Sequence, residues 1–285
     1  MKKDFISNIK SSYNQLTKAE KKVADFILSN PREVLFMSIT DLADACKVGD
    51  TSVFRFCKTM NLKGYQEFKM ILSLSINEGQ EGLNQFTGNN ISIDDTFGDL
   101  AKKVLNTNIN ALTETYSLIK EDEMNRAINM LHEARMIFFF GVGASMLTAM
   151  KAMNKFLRIE NKVFCVQDSH MQSMLAATMT SEDVAVLFSY SGATKDTIHV
   201  AQTAKKAGAK IICITRFSKS PLSMNADLTL LSGANEGPLQ GGSTSAEISQ
   251  LFLVEVLYSE YYRRYFEYCR ENNEKTSASV TEKLC

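Results

Sequence analysis

A run of small hydroxyl residues, SYSGAT at positions 189–194, follows a short apolar segment and precedes a helix-like one. Ser189, Ser191 and Thr194 offer hydroxyl groups, and Gly192 lets the backbone approach a ligand closely. The first N–H groups of a following helix, together with its dipole, favour an anion at such a turn. The segment therefore predicts a phosphate-binding loop, and the alternative is an ordinary turn.

A second loop of this kind, GVGAS at 141–145, follows the apolar segment MIFFF and places Ser145 at the start of a predicted helix. The loop lacks the third glycine and the downstream acid of a dinucleotide-binding fingerprint. Taken alone, either loop could be a tight strand-to-helix turn with a capping serine. Two such loops on one sheet favour a shared anion site, because ligands of open α/β sheets bind at the carboxyl ends of the strands.

A third segment, GGST at 241–244, opens a long apolar stretch with helical spacing. Ser243 and Thr244 could bring further hydroxyl groups to the same crevice. We predict both as phosphate ligands, together with Gly192 and the hydroxyl residues of the first two loops.

The segment 38–60, SITDLADACKVGDTSVFRFCKTM, carries a different pattern. Apolar residues recur at helical spacing in both of its halves, first at Ile39, Leu42, Ala43 and Cys46 and then at Val53, Phe56, Cys57 and Met60. Ser38 is placed to cap the first helix. Because the turn is short, the two apolar faces can meet only if the helices cross steeply, as in a helix-turn-helix. The alternative is an ordinary helical hairpin with a solvated face.

The outward face of the second helix is rich in polar and basic residues: Thr51, Ser52, Phe54, Arg55, Lys58 and Thr59. Such a face can enter the DNA major groove, with Lys58, Lys63 and Lys69 available to phosphates. Residues 1–75 hold 12 Lys and Arg against 8 Asp and Glu, which suggests an anionic partner for this end of the chain.

Length and patterning divide these motifs between two domains. The chain has 285 residues, 45% of them hydrophobic, and is too long to fold around one small hydrophobic core. Helical spacing predicts an all-α domain over residues 1–76, and the composition of residues 77–95 indicates a linker. Short apolar runs alternate with helix-length segments after Met136, so residues 96–285 are predicted to form leading helices and a doubly wound, mostly parallel α/β sheet. The amphipathic spacing of 96–119 predicts a dimer contact.

The bulk properties exclude several classes of protein. No apolar run approaches the ~20 residues that cross a bilayer, and the amino terminus lacks a signal-peptide core. We therefore expect a cytoplasmic protein with no membrane partner. The six cysteines occur singly, without a C-x-x-C pair, so we predict neither a metal site nor a cofactor.

The sequence resembles a known family in two places. ITDLADACKV, TSVFRFCKTM and KGYQEFK, within residues 1–75, resemble the N-terminal domain of the RpiR family of bacterial transcription regulators. GVGAS, VLFSYSGATKDT and AKKAGAKIICIT, within residues 120–265, resemble the sugar isomerase (SIS) domain. RpiR regulators join these domains in this order. The resemblance implies a double-stranded operator DNA, a small phosphorylated sugar as effector and a homodimer or homotetramer.

The resemblance also assigns residues to roles. It implies phosphate contacts for Ser145, Ser189, Ser191 and Thr194, and DNA contacts for Thr51, Ser52, Arg55 and Lys58, to which the charge pattern adds Lys63. Lys47 stands where the family's turn commonly has Gly. A lysine at positive φ costs about 1 kcal/mol, so we expect the bend at Gly49.

The choice between sensor and enzyme depends on a general base. Ala193 stands where enzymes with this domain often have Glu, and His170 and Glu247 remain as candidates. We predict a sensor with no catalytic residue. The alternatives are a sugar-phosphate isomerase with an accessory N-terminal domain, and an N-terminal domain that binds protein.

Overall fold

The computed structural model describes residues 5–76, 91–239, 241–281 and 283. The chain divides into an amino-terminal unit, residues 1–107 with 235–243, and a carboxyl-terminal unit, residues 108–234 with 244–285. Of the predicted linker, residues 77–90 lie outside the described residues, while Ile91 is buried. The boundaries given above for the domains stay a prediction.

The amino-terminal unit is helical up to the predicted linker, as expected. Its helices are α1 (Phe5–Ser12), α2 (Lys18–Ser29), α3 (Pro31–Val34), α4 (Ile39–Cys46), α5 (Asp50–Thr59) and α6 (Tyr65–Ile76). Phe68 of α6 lies at the centre of its core, with its ring 5.9 Å from that of Phe5 and 6.1 Å from that of Phe56. The apolar stripes of the helices thus meet in one hydrophobic cluster.

Two of these helices begin at a capping box, which fixes where they start. Thr17 accepts the N–H of Glu20, whose carboxylate accepts the N–H of Thr17 at 2.8 Å. The predicted cap Ser38 accepts the N–H of Asp41 at 3.0 Å, and Asp41 accepts the N–H of Ser38 at 3.0 Å. Each box satisfies backbone donors that a helix start leaves open.

The carboxyl-terminal unit alternates strands and helices. Helix α7 (Phe97–Leu118) begins in the amino-terminal unit and ends in this one. The elements that follow are α8 (Glu121–Glu133), β1 (Ile137–Phe140), α9 (Ala144–Phe156), β2 (Val163–Cys165), α10 (Ser169–Thr178), β3 (Val184–Phe188), α11 (Lys195–Lys206), β4 (Lys210–Thr215), β5 (Leu228–Leu231), α12 (Thr244–Arg264) and α13 (Phe266–Thr281). Within the described ranges, no helix combines the length and the apolar character that a membrane span requires.

The five strands form one parallel sheet in the order β2-β1-β3-β4-β5. Successive residues of a strand face opposite sides, and both sides are buried. On one side Phe139 and Val186 pack with α8, α9 and α12. On the other side Phe140 and Leu187 pack with α10 and α11. The sheet is therefore doubly wound, which confirms the predicted fold class.

A buried polar network lies beyond the amino end of β2. Glu160 is 2% exposed and accepts hydrogen bonds from the hydroxyls of Tyr261 and Tyr268, the latter at 3.1 Å. His132 Nδ1 lies 3.3 Å from the Tyr261 hydroxyl, and Lys162 Nζ lies 4.0 Å from Glu160. These bonds join α12 and α13 to the sheet.

Candidate functional site

The two predicted phosphate loops leave the same edge of the sheet at neighbouring positions. β1 and β3 are paired in parallel, with Phe140 opposite Leu187, and residues 141–145 and 189–194 follow directly. The strand order reverses here, since β2 lies on one side of β1 and β3 on the other. In doubly wound sheets this reversal opens a crevice at the carboxyl ends of the strands, where ligands bind.

The loop after β1 is a close turn that needs its glycines. A Cβ on Gly141 would lie 2.6 Å from the carbonyl oxygen of Ser145. Gly143, at φ +60°, directly precedes α9. Ser145 is half-buried in the first turn of α9, and Gln172 donates to the carbonyl of Gly141 at 3.0 Å. Ser145 therefore lies on a rigid segment at the carboxyl edge of the sheet.

The loop after β3 brings its hydroxyl groups together. Ser189 is 2% exposed, and its Oγ accepts the N–H of Gly192 at 3.2 Å and lies 3.4 Å from the Thr194 hydroxyl. The Ser191 Oγ accepts the N–H of Ala193 at 3.2 Å. The Ser191 oxygen only accepts a backbone proton, so its hydroxyl hydrogen is left for an anion, whereas either Ser189 or Thr194 donates to the other and leaves one hydroxyl hydrogen of that pair.

The next strand holds this loop in place. The carbonyl of Tyr190 accepts a hydrogen bond from the Thr215 hydroxyl at 3.1 Å, and the carbonyl of Gly192 accepts the N–H of Leu222 at 2.9 Å. Gly192 has φ +59°, and a Cβ there would lie 2.2 Å from Ser220 Oγ. These contacts fix the backbone of the loop against β4 and the residues that follow it.

Helix α11 starts immediately behind the loop. Thr194 precedes it, and the Thr194 carbonyl accepts the N–H of Ile198 at 3.0 Å. The Thr194 side chain makes no capping bond to the helix. The first turn of α11 therefore directs its N–H groups and the positive end of its dipole toward the loop.

In the third predicted segment, residues 241–244, the backbone N–H of Ser243 already binds a carboxylate of the protein. α12 begins at Thr244, which is exposed, and the N–H of Ser243 donates to the Glu236 carboxylate at 2.7 Å. Glu236 was not among the predicted site residues. It lies seven residues before Ser243, and no local spacing links the two positions.

The two candidate bases lie at the starts of helices. His170 is exposed on α10, which follows β2 and is capped by Asp168 through the N–H of Met171 at 2.9 Å. Glu247 is half-buried in the first turn of α12. Within the part of the chain that the structure describes, neither side chain has a hydrogen-bond or ion-pair partner that would position it as a base.

The helix-turn-helix consists of α4 and α5, and its turn corrects one expectation. Lys47 ends α4 with φ +52°, and the N–H of Val48 donates to the carbonyl of Ala43 at 2.9 Å. Gly49 has an ordinary φ of −84°, so the expected bend at Gly49 is wrong. The left-handed residue closes the helix end by satisfying its last carbonyl groups, which offsets the cost of that backbone conformation.

The outward face of α5 presents most of its predicted DNA contacts. Thr51, Arg55, Lys58 and Lys63 are exposed, and Ser52 is half-buried. Lys58 Nζ donates to the carbonyl of Lys63 at 3.1 Å and lies 5.3 Å from the ring centre of Phe54. Thr59 instead donates to the Glu20 carboxylate at 2.7 Å, a contact within the unit.

Lys69 was predicted to be available to DNA phosphates, and its burial shows that this prediction is wrong. Only 7% of the residue is exposed, and its Nζ donates to the carbonyl of Met37 at 3.3 Å. Burial lowers the pKa of Lys69 to about 8. The basic face therefore consists of α5 and the turn after it.

Comparison with known proteins agrees with both units. The helix-turn-helix domain of the rpiR family matches residues 3–79, and the SIS domain matches residues 130–260. An HTH-type transcriptional regulator of Haemophilus influenzae is 34% identical over 279 residues, 98% of this chain and 97% of that protein. This chain belongs to the RpiR family of HTH-type transcriptional regulators. The HexR regulator of Pseudomonas aeruginosa is likewise 34% identical to this RpiR-family protein, over 80% of this chain and 78% of HexR.

A solved relative has the same fold over its whole length. The NanR protein of Vibrio vulnificus, complexed with ManNAc-6P, superposes with a TM-score of 0.88 at 28% identity. The match covers 98% of this RpiR-family chain and 99% of NanR. The family and the fold make this protein a transcriptional regulator with a helix-turn-helix and a SIS domain.

Proposed function

We propose that this regulator binds operator DNA through α5 and senses a phosphorylated sugar at the β1–β3 crevice without converting it. The observation that carries the proposal is the ordered loop at 189–194, which places three hydroxyl groups and a helix start at the carboxyl edge of the sheet. The protein would act in the cytoplasm as a homodimer or homotetramer.

The chemistry of this loop suits a phosphate group. Ser189, Ser191 and Thr194 supply hydroxyl donors, and the start of α11 supplies N–H groups with a favourable dipole. Ser145 would add a donor from the neighbouring loop, and Ser243 and Thr244 would add donors from the start of α12. The similarity to NanR, which was solved with ManNAc-6P, makes a phosphorylated amino sugar the first candidate.

Isomerisation would need more than phosphate binding. Moving a proton between adjacent carbons requires a base held within hydrogen-bond reach of the substrate. Ala193 supplies no carboxylate, and His170 is an exposed residue near a helix start. A sensor needs only that the sugar phosphate binds the DNA-bound protein and the DNA-free protein with different affinities.

DNA recognition would use the exposed face of α5. Arg55, Thr51 and Ser52 would reach base edges, and Lys58 and Lys63 would contact phosphates. A coupling free energy of about 1–3 kcal/mol would change operator affinity about 5–150-fold.

The experiment is a DNA-binding titration with and without sugar phosphates. A labelled duplex that the full chain has selected from a random pool is titrated by fluorescence anisotropy, with ManNAc-6P or other hexose, pentose and amino-sugar phosphates present. We expect at least one sugar phosphate to shift the Kd for DNA by about fivefold or more. Turnover of that sugar phosphate, lost in His170→Ala or Glu247→Gln, would favour the isomerase instead.

A further inference from the structure

Phe54 is a large apolar side chain on the mostly polar outward face of α5. It is 43% exposed, whereas Val53 and Phe56 on the core face of the same helix are fully buried. Thr51 lies three residues before Phe54 and Lys58 lies four residues after it, so the three side chains share one face of the helix. The ring therefore faces outward among the predicted DNA contacts.

The turn after α5 holds this ring in place. Lys58 Nζ lies 5.3 Å from the ring centre of Phe54 and also donates to the carbonyl of Lys63 at 3.1 Å, so it connects the ring to the turn. A Cβ placed on Gly64 would lie 3.7 Å from Cε2 of the ring, which is van der Waals distance. Because both contacts already restrict the ring, it loses little conformational freedom when it binds a partner.

The position of Phe54 along α5 suits a contact with bases. A helix-turn-helix contacts base edges with the amino-terminal part of its second helix. α5 runs from Asp50 to Thr59, so Phe54 lies in its first half, and Arg55 is the next residue. Bases within reach of Thr51 and Arg55 are therefore within reach of Phe54 as well.

A phenyl ring distinguishes between the chemical groups of the major groove. Guanine, cytosine and adenine present only hydrogen-bond donors and acceptors there, whereas thymine presents a C5-methyl group beside one acceptor. A ring that covered a polar base edge would deprive that edge of water without offering it a hydrogen bond, which costs free energy. Burial of a methyl group against the ring is favourable. The thymine methyl group is therefore the partner that the chemistry of Phe54 fits.

We propose that Phe54 reads a thymine of the operator through van der Waals contact with its C5-methyl group. This inference rests on the proposed function, and it adds a sequence-specific contact to those of Thr51, Ser52 and Arg55. Because the contact is apolar and lies at a base edge, it contributes to sequence specificity and not to the attraction for phosphates.

The test replaces the thymines of the selected duplex one at a time by deoxyuridine, which lacks only the methyl group. At the thymine that Phe54 contacts, this replacement should weaken binding of the wild-type full chain about fourfold in fluorescence anisotropy, which corresponds to about 0.8 kcal/mol for one buried apolar carbon. Phe54→Ala should bind the thymine duplex more weakly than wild type does. Its affinity should change by less than about 1.5-fold when the same thymine is replaced.

The matched control is Phe36→Ala, because Phe36 is 46% exposed in the same unit and lies before α4, outside the helix-turn-helix. It should lose as much affinity at the deoxyuridine position as wild type does. Phe54→Leu is the second variant, because it keeps an apolar side chain, and it should retain part of the sensitivity to the methyl group. The slope of log K against log salt should be the same in Phe54→Ala as in wild type, since no phosphate contact is removed.

The outcomes separate this inference from the proposed function. Equal affinity of wild type for the thymine duplex and for every deoxyuridine duplex would overturn the inference alone, and so would the same loss on replacement in Phe54→Ala and in wild type. A selected operator without a constant thymine would also overturn it. Failure of the full chain to select any sequence from the random pool would overturn the proposed function and the inference with it.

Discussion

Replacing Gly192 by alanine should destabilise the carboxyl-terminal unit through two separable effects. The residue has φ +59°, a conformation that costs an L-residue about 1–2 kcal/mol. The new Cβ would also lie 2.2 Å from Ser220 Oγ, 2.6 Å from Ser220 Cβ and 3.1 Å from Thr215 Oγ1. Ser220 is fully buried, so it has little room to move away. Overpacking of this kind costs about 1–3 kcal/mol, for a total of about 2–5 kcal/mol.

A double-mutant cycle separates the two effects. Ser220→Gly removes both of the atoms nearest to the new Cβ but leaves the backbone strain at Gly192 in place. The double variant should therefore be more stable than the sum of the single variants predicts, by about 1–3 kcal/mol. Gly143→Ala is the control for backbone strain alone, because that residue has φ +60° and no atom within 4 Å of the new Cβ.

Urea unfolding followed by circular dichroism measures these free energies, since the chain has no Trp for fluorescence. Additivity of Gly192→Ala and Ser220→Gly within about 0.5 kcal/mol would show that the two residues do not touch. The close packing of the 189–194 loop against residues 220–222 would then be wrong, and with it the claim that these residues fix the loop.

Three further predictions concern other parts of the molecule. Between pH 8 and pH 10, the stability of wild type relative to Lys69→Met should rise by about 2 kcal/mol in urea unfolding, because Lys69 loses its proton near pH 8 when folded and near 10.5 when unfolded; parallel pH curves for the two proteins would contradict this. Tyr261→Phe should cost about 1.5–3 kcal/mol in thermal or urea unfolding, since it takes a donor from buried Glu160, and a loss below about 0.5 kcal/mol would contradict that bond. Arg55→Ala with Lys58→Ala should weaken DNA binding and reduce the slope of log K against log salt by about 1–2, whereas an unchanged slope would favour a protein-binding domain.

Local patterns in the sequence were sufficient to predict the architecture of the sheet. Buried apolar runs separated by helix-length segments admit few folds other than a parallel sheet covered on both faces. The loop at 189–194 was recognisable because its hydroxyl residues are contiguous and follow a strand. The backbone conformation of the loop depends on contacts with Thr215 and Leu222, which lie more than 20 residues further along the chain. No spacing within the loop predicts these contacts.

The misassigned residues have physical explanations. Lys69 stands four residues after Tyr65 and three before Leu72, both buried, so helical spacing already placed it on the core face of α6. Lys47 takes a left-handed conformation because that conformation lets the end of α4 satisfy its last carbonyl groups. The residue type of Lys47 does not predict this conformation. Glu236 reaches Ser243 only through the folded loop.

The most direct measurement is isothermal titration calorimetry of the full chain with ManNAc-6P and other sugar phosphates. At least one of them should bind, and the same sugar without phosphate should not. Ser189→Ala with Ser191→Ala should abolish the binding while the unfolding midpoint stays near that of wild type. Equal binding of the phosphorylated and unphosphorylated sugar, or undiminished affinity in the double variant, would contradict a phosphate site at the β1–β3 crevice.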